Sequence, residues 1–166
     1  MSGDTPWVGG HLRIARDLLT EIEAHALECY PSESCGFVAG PAQTPDLLDA
    51  VIREVNEADK YHRLDPETFP RTSETYFKIN ELRAMRAFEA GRANGQPIKV
   101  IYHSHCDAGS YFSEEDAATF SSHGTLMWPC AFLVVSVRDG SVDGHRLWVH
   151  RPGTDTFEEA PLEVTT

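Results

Sequence analysis

The run at residues 98–102, Ile-Lys-Val-Ile-Tyr, constrains the fold most. It is apolar, β-branched and flanked by polar residues, so it reads as a buried strand. A second such run, residues 131–137, has the same character, and a third, residues 35–39, is closed by Gly40 and Pro41. Short apolar runs of this kind belong to the middle of a sheet covered on both faces. Helical spacing supplies the covers. Leu18, Leu19, Ile22 and Ala26 recur along one stripe up to Cys29, with Pro31 ending the helix. Residues 74–91 read as a second helix, with Ile79, Leu82, Met85 and Phe88 on its stripe and Gly91, Asn94 and Gly95 as its stop. Ser113 opens a third. Leu12 and Ile14 alternate as a short strand, residues 47–55 read as another, and 56–72, with two prolines, as an ordered loop. Asp139-Gly140 and Asp143-Gly144 mark turns before an outgoing strand through Leu147 and Val149. Residues 157–164 give a last strand. This order predicts an α/β protein with a mixed central sheet flanked by helices. At 166 residues one domain is expected, over 11–166, behind a flexible N-terminus at 1–10.

Charge narrows the partners. With 26 Asp+Glu against 14 Lys+Arg and a formal charge of -12, the chain repels phosphate backbones, so nucleic acid is not an expected partner. No stretch approaches the ~18 apolar residues of a membrane span, and the opening MSGDTPWVGG lacks the basic and apolar regions of a signal peptide. A cytoplasmic protein is expected. Cys29, Cys35, Cys106 and Cys130 form no Cys-x-x-Cys pair, so they read as free thiols packed as small hydrophobes.

The chemistry concentrates in His103-Ser104-His105 and in Ser113-Glu114-Glu115-Asp116. Two histidines at i and i+2 of an extended segment face the same way. Placed where the strand 98–102 runs out into a loop, they can share one metal ion. Asp116, one turn into the next helix, can supply a third donor. Three protein ligands leave a zinc ion's fourth position open, the pattern of a catalytic site. Each part has an ordinary alternative. Histidine pairs are frequent on surfaces, and Ser113 with Asp116 is a capping box. Ser104 points to the opposite face and reads as structural. His11, His25, His62, His123, His145 and His150 have no partner at telling spacing.

The joint spacing His-Ser-His, seven residues, Ser, two residues, Asp resembles the motif of the JAMM/MPN zinc metalloproteases. The segment Pro31-Ser32-Glu33-Ser34-Cys35-Gly36, continuing to Gly40, is similar to that family's upstream Pro-x-Glu-x-Cys-Gly segment. The resemblance runs from about Leu12 to Val149. It implies a compact prokaryotic-type MPN domain with a cytidine-deaminase-like fold, and one Zn2+ per chain on His103, His105 and Asp116. It further implies Glu33 as general base and Ser113 as hydrogen-bond donor to the oxyanion. The implied partner is the C-terminal Gly-Gly tail of a ubiquitin-like or sulfur-carrier β-grasp protein. Cys106 departs from the proline often found there in prokaryotic members, and the loop 107–112 is this chain's own. The insertions of eukaryotic polyubiquitin-cleaving relatives are absent. A non-catalytic scaffold and a zinc hydrolase of small amides are the alternative functions. The sequence leaves the oligomeric state open.

Overall fold

The computed structural model describes residues 4–166. Its frame is a six-stranded mixed sheet. In chain order the elements are β1 (Leu12–Ala15), α1 (Arg16–Cys29), β2 (Cys35–Ala39), β3 (Leu47–Leu48), β4 (Ala50–Glu54), α2 (Ala58–Leu64), α3 (Glu81–Ala93), β5 (Ile98–Cys106) and α4 (Glu114–Phe120). Then come β6 (Ser121–Ser122), β7 (Thr125–Leu126), β8 (Ala131–Arg138), β9 (Ser141–His150), β10 (Phe157–Ala160) and β11 (Leu162–Thr165). The main sheet runs β10-β9-β8-β5-β2-β4, and a small parallel sheet runs β11-β1-β3. The three runs read as buried strands are its middle: β2 is buried throughout, β5 up to its last residue and β8 up to its last.

Both faces are covered. On one, Leu19, Ile22 and Ala26 of α1 pack with Val100, Tyr102, Leu133 and Val135. On the other, Ala84 of α3, Phe120 of α4 and Phe77 pack with Phe37, Ile101 and Phe132. Strand alternation sorts β5 accordingly. Tyr102 meets His25 of α1, its hydroxyl 2.6 Å from Nδ1, while Ile101 and, two residues on, His103 face the other layer.

Only β5 and β8 pair in parallel within the main sheet. Parallel neighbours need a crossover, and here it carries α4 and the β6–β7 hairpin. A crossover helix starts close to the C-terminal end of the strand it leaves. The topology therefore brings the first turn of α4 over the end of β5.

Several elements differ from the sequence reading. The helix expected at 74–91 begins only at Glu81, because Asn56 holds the residues before it: its Nδ2 donates to Tyr76 O (3.0 Å), and its Oδ1 accepts from Lys78 N (3.0 Å). Its stripe also differs. Ile79 and Phe88 pack against the core as expected, but Ala84 is the buried residue of α3, and Leu82 and Met85 are 53% and 48% exposed. The stretch 56–72 contains a two-turn helix, α2, whose first N–H groups include Ala58 N bound to Asn56 Oδ1 (3.0 Å). The last strand is split at Pro161 between the two sheets. Within the stretch expected to be a flexible N-terminus, Pro6–Gly9 forms a 3-10 turn, and Trp7 is buried with its indole N–H on Pro129 O (3.0 Å).

Lys99 sits fully buried in β5. Its ammonium donates to Pro41 O, Thr44 O and Leu47 O, each at 2.9 Å, and lies 5.3 Å from the Trp7 ring. Lys99→Met keeps the stem but removes three charge-assisted hydrogen bonds, while Pro41 O and Thr44 O keep Thr44 N and Leu47 N as partners. Hydrogen bonds to a charged group contribute ~1.5–3 kcal/mol each and burying the ammonium offsets part of that, so a loss of roughly 2–3 kcal/mol is expected in urea unfolding. A loss below ~1 kcal/mol would mean that water replaces the ammonium there.

Candidate metal centre

β5 extends through Cys106, four residues beyond the sequence expectation, because its ladder with β8 continues from Val100↔Ala131 to Cys106↔Val137. His103 and His105 therefore stand inside a central strand and not in a loop. Both are buried, at 0% and 5% exposure. Their rings lie on one face, as the i, i+2 spacing requires.

Asp116 reaches them from α4. Ser113 is the N-cap: its Oγ accepts from Asp116 N (3.0 Å), and Asp116 Oδ2 accepts from Ser113 N (3.1 Å). The same Oδ2 lies 3.1 Å from His103 Nε2 and 3.2 Å from His105 Nε2, and the two Nε2 atoms are 3.2 Å apart. The capping and ligand readings of Asp116 are thus compatible, since one oxygen serves both.

This near-equilateral triangle tests the fit of a metal. Donors 2.0–2.1 Å from a tetrahedral zinc are about 3.3–3.4 Å apart, close to all three edges. Hydrogen bonding satisfies the triangle poorly. With His105 Nδ1 taken up by Gly109 O, a neutral His105 turns its Nε2 lone pair toward the carboxylate oxygen 3.2 Å away. The ring orientations agree with ligation. His105 Nδ1 donates to Gly109 O (2.9 Å), which leaves Nε2 with its lone pair facing the triangle. His103 stacks on Phe77 at 4.4 Å, and burial lowers its pKa despite Asp116 beside it, which favours the neutral, ligating ring. Its Nδ1 is buried with no hydrogen-bond partner among the described residues. Among the described residues, these three are the cluster of potential ligands that converges.

Glu33 lies on the loop between α1 and β2, 6% exposed, and lines one cavity of about 170 Å3 together with His105, Ser113 and Asp116. Burial first and Asp116 second push its carboxyl up to about 9, with Arg71 pulling the other way. Its main chain is pinned on both sides. Glu33 N donates to Ser73 O (2.7 Å), and Glu33 O accepts from Asn56 Nδ2 (2.9 Å). One residue on, Ser34 N and Ser34 Oγ both donate to Ser104 Oγ (2.8 and 3.0 Å). Ser104, on the far face from the histidines, is structural as expected, and what it anchors is the Glu33 loop.

Asn56 is the residue that sequence reasoning missed. A polar side chain after a strand, followed by an alternating stretch, was the available signal, but nothing in its spacing tells that its amide would join three segments. The loop 107–112 is fixed as well. Tyr30 donates to Asp107 Oδ2 (2.7 Å), Asp139 N to Asp107 Oδ1 (2.8 Å) and Trp148 Nε1 to Ser110 O (3.0 Å). Cys106 borders the cavity half-buried, and burial pushes its thiol up to about 12, so it is not a ready thiolate. None of the six remaining histidines joins the triangle. His62 and His150, for instance, bond to Phe69 O and Thr154 O.

Comparison with known proteins places this geometry in context. A family model described as prokaryotic homologs of the JAB domain matches residues 15–150. The CysO-cysteine peptidase of Mycobacterium tuberculosis is 30% identical over 156 residues, covering 92% of this chain and 90% of that one. Among solved structures, a protein from Desulfitobacterium hafniense superposes with a TM-score of 0.65 at 18% identity, covering 93% of this chain and 92% of its own. A JAB1/MPN domain protein from Archaeoglobus fulgidus does so with 0.53 at 19%, covering 93% and 100%. These two likenesses show that the fold is shared.

Proposed function

Because this chain belongs to the family of prokaryotic homologs of the JAB domain, we propose that it is a zinc peptidase that cleaves the bond after the C-terminal Gly-Gly of a ubiquitin-like or sulfur-carrier β-grasp protein. The observation that carries this reading is the donor triangle beside a buried carboxyl: His103, His105 and Asp116 would hold one zinc, with Glu33 lining the same small cavity. The mycobacterial relative, named a CysO-cysteine peptidase, favours a carrier bearing an attached amino acid over a polyubiquitin chain. The four unpaired thiols suit a reducing cytoplasm, and no helix among the described residues is long and apolar enough to cross a membrane.

Zinc bound there would supply Lewis acidity and make water acidic enough to attack near neutral pH. The rest falls to the chain. Glu33, lining the same cavity, takes the proton of the attacking water in its ionised form. It then delivers that proton to the leaving amine as the C–N bond breaks, so water is consumed and a carboxylate and an amine are released. Ser113 donates to the developing oxyanion. Its capping role does not compete, because accepting from Asp116 N uses a lone pair and leaves the O–H free to donate.

A second groove, about 650 Å3, meets the small cavity at Ser113 and is lined by Phe112, Ala117, Ser121 and Phe157 among others. It has the room to take the extended tail of the carrier. The small cavity offers little discrimination, so binding energy must come from contacts far from the bond. The zinc-loaded protein should therefore cleave a β-grasp carrier extended past Gly-Gly with a kcat/KM at least ~100-fold above the excised tail peptide, equivalent to about 3 kcal/mol of remote binding. Equal values would favour a small-amide hydrolase, and no cleavage of any Gly-Gly substrate would favour a scaffold.

A further inference from the structure

The peptidase reading favours an attached amino acid on the leaving side of the bond without saying what recognises it, and the cavity walls bear on that. Glu33 must reach the leaving amine to protonate it, so the leaving group enters the cavity that Glu33 lines. That cavity, at about 170 Å3, is well below the ~300–1,000 Å3 of ordinary ligand pockets. It has room for one small residue and not for a folded acceptor. Its lining includes four carboxylates, Glu33, Glu74, Glu115 and Asp116, and a single cationic side chain, Arg71.

Arg71 is placed with the base. Two residues on, Ser73 accepts Glu33 N–H at its carbonyl (2.7 Å), and Ser73 is itself tied through its N and Oγ to Asp59 (2.8 Å each). The guanidinium pairs with Glu115 Oε2 (3.2 Å), and its other nitrogen donates to Thr75 O (3.4 Å). The Arg71 and Glu115 side chains are 43% and 46% exposed. An exposed pair of this kind contributes little and exchanges readily for a better partner. A planar guanidinium matches a carboxylate with two parallel hydrogen bonds.

Resting on the peptidase reading, we propose that Arg71 is a specificity residue that grips the free α-carboxylate of a single small amino acid attached after Gly-Gly. Only a one-residue extension carries a carboxylate next to the scissile amide. A longer linear extension puts another amide there, and an isopeptide puts the methylene arm of a lysine there. Arg71 would thus make the enzyme a remover of one terminal residue.

The test uses the zinc-loaded protein and a β-grasp carrier ending in Gly-Gly, extended by one cysteine as the free acid or as the carboxamide. The wild type should prefer the acid by ~10–100-fold in kcat/KM, the range for a charge-assisted bidentate contact. Arg71→Met should collapse that preference to near unity, Arg71→Lys should keep part of it, and Glu115→Gln should keep it. Cleavage of acid and amide at equal rates by the wild type, or an acid preference that survives in Arg71→Met, would overturn the role of Arg71 and leave the peptidase reading standing. Failure of the wild type on both substrates would overturn the peptidase reading, and this proposal with it.

Discussion

Replacing Glu33 by glutamine is expected to lower kcat by ~10²–10⁴-fold, the range for a general base, while zinc content and fold are kept. Glutamine has the shape of the carboxyl but accepts no proton. The substitution should be quiet structurally for an electrostatic reason: burial pushes Glu33 up to about 9, so at neutral pH the metal-free protein already holds it uncharged. The sign of the pH dependence follows. The folded state binds this proton more tightly than the unfolded chain, whose pKa is near 4.5, so metal-free wild type should lose stability relative to Glu33→Gln as pH rises from about 4.5 toward 9. Urea midpoints of the two proteins across that range measure it. A variant that turns over normally would take Glu33 out of the mechanism.

Asp116→Ala should cost the protein its metal. Zinc sites with four ligands bind with about 10–16 kcal/mol, or roughly 2.5–4 kcal/mol for each ligand, so losing one weakens affinity by about 10²–10³-fold. Hydrolysis should fall with zinc occupancy, measured by elemental analysis after dialysis against a weak chelator. His103→Ala should behave alike for the metal but differ in the helix, because only Asp116 also accepts from Ser113 N. A zinc stoichiometry near one in either variant would mean that the triangle is not where the ion sits.

The sequence announced the middle of the sheet and hid its connections. β2, β5 and β8 are buried on both faces, so their residues had to be apolar, and a run of such residues is visible without knowing the neighbours. The triangle was visible as well, because its donors lie on two consecutive elements at fixed spacing. The end of β5 was not. His103 and His105 look like loop residues, and what keeps them in the strand is pairing with Val134 and Ser136 of a strand about thirty residues away. Nor was the start of α3, because Asn56, twenty residues before Tyr76, binds Tyr76 O and Lys78 N outside the helix. The role of the two glycines in the Pro31–Gly40 segment also needed the fold. A β-carbon on Gly36 would collide with Ile52 O, and one on Gly40 with Leu47 O.

The helix α4 has seven residues, too few to hold itself together in water. Its first turn closes through one carboxylate oxygen of Asp116, which is also a corner of the donor triangle. Ordering of the helix and any affinity of the triangle for zinc are therefore thermodynamically coupled. Whatever loosens α4, even an apolar change at Phe120 under its far end, would weaken zinc binding at the triangle. An ion in place would in turn fasten the crossover between β5 and β8.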